Sequence, residues 1–385
     1  MIYLDNSATT QLDPKVTAAM QPYLGEKFGN ASSIYSYGRE ARMALEDARS
    51  LVASAIGADP SEIVFTSGGT EANNHAIKGT VFEAVKDGRR FDELSVLTSQ
   101  TEHHAVLEPV AFLESLGVKR IPVEVKNDGS IDSQKIKSIH GKWTLASFML
   151  VNNEVGVINP LKEITAAIRA ESSDAIIHTD AVQALGKIDV DVRELGVDLL
   201  SLSGHKIHGP KGIGALFIRR GIKIEPLQHG GAQERNRRGG TESVALAVGF
   251  GEAIRQMQLK RAESREYVKN LREYAMKKLS SLSEIVFNSP VDTKGVDGII
   301  NISFTPEVLK KLDGEALLIR FDLEGIAVSN GSACTSGSVQ PSHVLMAMGK
   351  GPEIASKSLR ISFSRYTKKE EIDTFIEVLS KIIRG

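Results

Sequence analysis

From about residue 40 to residue 220 short apolar runs alternate with amphipathic stretches. Few architectures accommodate that alternation, and a mainly parallel α/β sheet covered by helices is the one it predicts. Residues 39–56 read as a helix, ended by the turn Gly57-Ala58-Asp59-Pro60. Ile63-Val64-Phe65 reads as a short buried strand, and the helix after it begins near Thr70. Further strands are predicted around Val96 and over residues 148–151, 176–179, 199–202 and 214–218. In such sheets the functional loops gather at the carboxyl ends of the strands.

From about Glu242 the pattern changes to a long charged helix that leaves the sheet. A strand over 298–304, a helix, strands over 326–328 and 359–363 and a final helix follow, which predicts a smaller α+β domain. At 385 residues the chain exceeds what one hydrophobic core usually holds. The expected division is a large domain over 15–255 and a small domain over 1–14 and 256–385, the latter carrying a polar loop at about 329–340.

A net charge of −1 gives no global basic field for nucleic acid, and Arg235, Arg237 and Arg238 are too few to reverse that. With one cysteine there is no intrachain disulfide and no cysteine-rich zinc site, which fits a reducing cytosol. The start, MIYLDNSATT, has neither the basic nor the apolar segment of a signal peptide. No apolar run is long enough to span a bilayer, so a soluble cytoplasmic protein without a membrane partner is expected.

Five motifs carry chemistry, four of them just after a predicted strand. Thr66-Ser67-Gly68-Gly69-Thr70-Glu71 opens a helix with small residues, which suits a phosphate or a plain N-cap equally. Asp180, in His178-Thr179-Asp180-Ala181-Val182-Gln183, can hold a pyridine nitrogen in its protonated form or cap the next segment. In Ser203-Gly204-His205-Lys206 the sequence turns abruptly from apolar to polar. A lysine there can lose its proton and form a Schiff base, although most lysines are simply solvated. His103, in Thr101-Glu102-His103-His104, can stack on an aromatic cofactor or shuttle protons. Adjacent histidines diverge on a helix, so no metal site is expected. The only cysteine, Cys334, lies in Ser332-Ala333-Cys334-Thr335-Ser336-Gly337, where nothing builds a core around it. A reactive thiol in a mobile exposed loop is expected.

Taken together these motifs resemble those of the cysteine desulfurases, within the fold-type I, class V aminotransferase group of pyridoxal-phosphate enzymes. The resemblance runs from Leu4-Asp5-Asn6-Ser7-Ala8-Thr9-Thr10 to the final helix. It is most specific at Ser203-Gly204-His205-Lys206, at His229-Gly230-Gly231 with Gln233-Glu234, at Gly240-Thr241 and around Cys334. The longer cysteine loop is similar to that of the group serving general and nitrogen-fixation iron–sulfur assembly. The resemblance implies that 15–255 binds pyridoxal 5'-phosphate and that Lys206 is the Schiff-base lysine. It pairs Asp180 with the ring nitrogen, His103 with the ring face and Gln183 with the ring hydroxyl. Gly69, Thr70, Ser203 and His205 would hold the phosphate, with Thr241 arriving from a second copy in a homodimer. Asn153 and Arg360 would bind the carboxylate of L-cysteine, and Cys334 would accept its sulfur. The onward partner would be an iron–sulfur scaffold or another sulfur acceptor. The chain departs from the family at Gly29-Asn30-Ala31-Ser32-Ser33-Ile34-Tyr35, where Tyr35 stands in place of a frequent histidine.

The implied reaction takes sulfur from L-cysteine, leaves alanine and puts a persulfide on Cys334. A selenocysteine lyase or an ordinary class V aminotransferase would use the same cofactor, but a transaminase has no need of the Cys334 loop. A non-catalytic sulfur carrier or scaffold would have no need of Lys206 and Asp180.

Overall fold

The computed structural model describes residues 1–330 and 340–384. Strands Ile63–Thr66, Ser95–Ser99, Leu145–Ser147, Leu199–Ser203 and Gly214–Ile218 are buried along their whole length, as a sheet covered on both faces requires. With Ile176–Asp180 and Lys119–Val123 they form one seven-stranded sheet. Its order is Ile63–Thr66, Gly214–Ile218, Leu199–Ser203, Ile176–Asp180, Leu145–Ser147, Ser95–Ser99, Lys119–Val123. Only Gly214–Ile218 runs against its neighbours, so the sheet is mainly parallel.

The register explains why small polar residues converge at one end. Thr66 and Ser203 both face Gly214 across the ladder. A Cβ on Gly214 would stand 2.7 Å from the Gly68 carbonyl carbon, so a glycine there lets the turn after Thr66 fold over the sheet edge. Gly68 itself sits at φ +156°, ψ −176°, a conformation that side chains other than glycine's rarely adopt.

Helix Ser36–Ala55 lies against this sheet and buries Arg49. Arg49 pairs in two-pronged fashion with Glu234 (2.6 and 2.8 Å) and stacks over Phe65 at 4.8 Å. Glu234, Arg235 and Asn236 have φ of 46°, 57° and 63°, three successive left-handed residues without a glycine. Such backbone costs roughly 1–2 kcal/mol per residue, and the buried ion pair is what anchors it.

A second antiparallel sheet is ordered Leu359–Ser362, Ile299–Phe304, Ile285–Phe287. The amino-terminal Ile2–Tyr3 pairs in parallel with Ile326–Ala327. Leu4, Ile300, Phe304, Phe321, Leu359 and Phe375 form the core here, separate from the core around Phe148, Leu200, Phe217 and Ile254. The α/β architecture thus pairs a large parallel sheet with a smaller mixed layer. No helix of the described residues is long and apolar enough to cross a membrane.

Two predicted elements differ in detail, and two strands escaped prediction. The single charged helix expected from Glu242 is two helices, Val244–Leu259 and Arg261–Leu279, broken at Lys260. The first packs on the large core through Phe250 and Ile254, the second on the small one through Leu271 and Ala275. The strand expected over 148–151 lies earlier, at Leu145–Ser147, because Val151 has already turned back to bridge Ile158. Strands Lys119–Val123 and Ile285–Phe287 were not legible in the pattern, their residues being largely exposed or half-buried.

Candidate active site

The carboxyl ends of Ile63–Thr66, Ser95–Ser99, Ile176–Asp180 and Leu199–Ser203 open onto a cavity of about 550 Å³. Arg360, from the second sheet, closes its far side. Lys206, Asp180, Gln183, His103, Gly69, Thr70, Ser203, His205, Asn153 and Arg360 all line this one space.

Lys206 follows the strand that ends at Ser203, in a short 3-10 turn over Gly204–Lys206. Its Nζ donates to the Ser7 and Ala8 carbonyls. Burial, then the nearby Arg360, bring its pKa down from 10.5 to about 8, against the opposing pull of Asp5 and Asp180. Asp180 is 6% exposed and accepts from Asn73 Nδ2 (2.6 Å) and the Val182 N–H (2.9 Å). Two donors therefore fix the carboxylate at the end of its strand. Gln183 donates from Nε2 to the Ser7 carbonyl (2.9 Å) and accepts at Oε1 from Lys187 (2.7 Å).

Helix Gly69–Lys86 begins at the cavity wall, where the N–H groups of a first turn have no intrahelical partner. Gly69 packs so closely that a Cβ would meet Val182 Cγ2 at 2.8 Å. Ser203 Oγ is buried and has no hydrogen-bond partner among the described residues. His205 Nδ1 lies 3.1 Å from Thr9 Oγ1, and burial together with Lys206 and Lys211 lowers its pKa to about 4. At neutral pH the ring is uncharged and offers a hydrogen bond rather than a cation.

His103 caps helix His104–Ser115, its Nδ1 accepting from the Ala105 N–H at 3.0 Å. That bond fixes the ring and leaves Nε2 as the protonated nitrogen of the neutral form. Burial lowers the His103 pKa, and Lys206 adds to this while Asp180 opposes it. The His104 ring stands 6.5 Å from His103 at 73° and 4.8 Å from His343. The neighbouring Glu102 accepts from Ser99 Oγ (2.7 Å) and the Met149 N–H, and burial raises its pKa to about 8.

Arg360 donates to Asp5 Oδ1 (2.8 Å) and to the Asn153 carbonyl (3.0 Å), while its Nε has no partner among the described residues. Thr241 does not join this group; it lines a different recess with Ser67, Glu234, Arg238 and Gly240. Cys334 lies outside the described residues.

Several groups at the site were not singled out from sequence. Asn73 sits three residues after Thr70 on its helix, and only the fold carries it to Asp180. Asp5 reaches Arg360 across 355 positions. Lys187 follows Gln183 by four residues, a spacing that could have drawn attention to it.

The arrangement can hold a phosphate, a protonated ring nitrogen and an amine-reactive carbon together with a carboxylate-bearing substrate. Residues 2–375 match the aminotransferase class-V family. Over 384 residues the chain is 47% identical to the cysteine desulfurase IscS of Dictyoglomus turgidum, covering 99% of this chain and 94% of that one. Among solved structures it is similar to a NifS-like protein, with a TM-score of 0.89 and 34% identity over 100% of this chain and 98% of that one. It is also similar to SspA in complex with cysteine, with a TM-score of 0.82 and 34% identity over 96% of this chain and 100% of that one.

Proposed function

The chain belongs to the aminotransferase class-V family, and from that premise we propose that it is a pyridoxal-phosphate-dependent cysteine desulfurase. It removes sulfur from L-cysteine, releases L-alanine and carries the sulfur as a persulfide on Cys334, for iron–sulfur cluster assembly or other sulfur transfer. The observation that carries this reading is the convergence of Lys206, with its lowered pKa, and a doubly held Asp180 in one cavity.

The residues present fit the cofactor. The unpartnered Ser203 Oγ, the helix start at Gly69 and Thr70 and the neutral His205 form a cup for a phosphate. Asp180 suits a protonated ring nitrogen, His103 a ring face and the free hydrogen of Gln183 Nε2 a ring oxygen. Bound there, pyridoxal phosphate supplies an aldehyde carbon that amines attack and a ring that takes up electrons from the substrate's Cα.

The chain's own groups divide the remaining work. Lys206 would hold the cofactor in the resting protein, and its free Nζ would accept the substrate's Cα proton. Asp180 would keep the ring nitrogen protonated. Arg360, steadied by Asp5 and the Asn153 carbonyl, receives the substrate carboxylate. The Cys334 thiolate attacks the substrate sulfur, so that an S–S bond forms as the C–S bond breaks and the carbon side leaves as alanine after proton return. Residues 15–255 are the cofactor-binding part, and the remainder supplies Arg360 and the cysteine. The protein works in the cytoplasm. Supplying L-cysteine to the purified protein with a thiol reductant is expected to yield alanine; pyruvate as the main product would overturn the reading.

The separation of Thr241 from the Lys206 cavity supports a homodimer in which each copy lends Thr241 to the other's phosphate cup. Lys206→Ala chains and Thr241→Ala chains, each defective alone, test this. In a mixed dimer one site receives both lesions and the other neither, so random mixing is expected to restore about a quarter of native activity. No recovery from verified mixed dimers would refute the shared site.

A further inference from the structure

Lys187 carries a second half-buried amine beside the site, and none of the chemistry above uses it. Its Nζ donates to Gln183 Oε1 at 2.7 Å and to the Gln183 carbonyl at 3.1 Å. At the other end of the same side chain, Nε2 donates to the Ser7 carbonyl at 2.9 Å, and Lys206 Nζ donates to that same oxygen. A carbonyl oxygen only accepts, and an ammonium only donates. With these two partners the Gln183 amide has one allowed orientation, Oε1 to Lys187 and Nε2 to Ser7. Among the described residues one Nε2 hydrogen is then left over, on a residue that lines the cavity.

We infer that Lys187 is a positioning residue that locks the Gln183 amide so that it presents a hydrogen-bond donor, and never its carbonyl, to the cofactor's ring oxygen. The inference rests on the cofactor reading above. A ring oxygen with negative charge repels an amide carbonyl and is stabilised by an amide N–H. Without Lys187, Ser7 alone restrains the amide, and the flipped form gains population. Lys187 also borders a smaller cavity with Arg261, Arg265 and Asp297. Burial, Lys206 and Arg360 bring its pKa down to about 7. The neutral amine can accept as well as donate, so the lock is strongest where Lys187 is protonated, and above that pH the Ser7 carbonyl alone favours the same orientation.

The test is a double-mutant cycle on cofactor binding rather than turnover. Native protein, Lys187→Met, Gln183→Leu and the double variant are stripped of cofactor, checked for a cooperative melt and titrated with pyridoxal phosphate by equilibrium dialysis. The loss of one hydrogen bond's orientation is expected to weaken binding by about fivefold in Lys187→Met, with a shift of the visible band. Lys187→Arg, which keeps a donor, is expected to bind within about twofold of native. In the Gln183→Leu background, Lys187→Met is expected to change nothing further. Native-like binding by Lys187→Met, or an equal loss in both backgrounds, would overturn the inference. Should the methionine variant fail to fold, Lys187→Gln replaces it, because an amide that can accept as well as donate no longer dictates the orientation. If native protein itself takes up no cofactor at Lys206, the cofactor reading fails first, and that outcome is distinct from either result of the cycle.

Discussion

Lys206→Ala is expected to lower alanine formation by about 10³–10⁴-fold and to abolish covalent retention of pyridoxal phosphate. On the proposed reading, the substitution removes both the amine that would hold the cofactor and the base that would take the Cα proton. It leaves Asp180 with its Asn73 and Val182 donors and leaves Arg360 with Asp5, so non-covalent cofactor binding is expected to persist. Borohydride reduction of native protein, followed by peptide mapping, is expected to place the label on Lys206. A label on Lys187 or Lys211 instead, or a Lys206→Ala variant with native activity, would contradict the assignment. The pKa of about 8 gives a second handle. Only the neutral amine attacks an aldehyde, and about one lysine in ten is neutral at pH 7 for such a pKa. Reattachment of cofactor to stripped protein is therefore expected to quicken as pH rises from 7 to 8 and to level off above it. An ordinary exposed lysine would go on accelerating toward pH 10.

How much of this was legible in the sequence depends on how locally each feature is encoded. Ser203 to Lys206 and Asp180 stand where apolar strands stop abruptly, and a strand end is a local signal. Their partners are not local. Asn73 meets Asp180 across 107 positions and Asp5 meets Arg360 across 355, and no periodicity encodes such pairings. The break at Lys260 was hidden for a different reason. The run from Val244 to Leu279 contains no proline, and its helical pattern continues through the junction. The bend exists because the two halves bury their faces in different cores, which is a property of the assembled fold. Thr241 illustrates a third case. Its motif resembles a phosphate contact, but within one chain it faces another recess, and its place relative to a second copy is not encoded locally. Tyr35 is 59% exposed, beside the exposed Ile34 and Tyr37. Among the described residues nothing gives it a catalytic partner.

Cys334→Ser is expected to reduce alanine formation from cysteine by at least about a hundredfold while leaving cofactor binding native. A serine hydroxyl is far less ionised than a thiol near neutral pH and is a poor partner for sulfur. The residues at Gly69, Ser203 and His205 and the pair Asp180–Asn73 are placed by the strands and helices of the described chain, so the variant is expected to keep its visible band and its melting temperature. Added cysteine is expected to perturb that band without turnover. Selenocysteine, whose C–Se bond can break without a protein thiol, is expected to be cleaved still; that result would locate the defect at sulfur transfer rather than at the cofactor.

The most direct test follows the sulfur itself. Native protein and Cys334→Ser are pulsed briefly with L-cysteine, quenched without reductant and digested, and the peptide spanning position 334 is weighed while alanine is counted in the same sample. The account predicts one added sulfur on the native peptide, removed by a reductant, with one alanine per sulfur, and neither in the variant. An unmodified native peptide with alanine still accumulating, or a Cys334→Ser variant making alanine at the native rate, would contradict it.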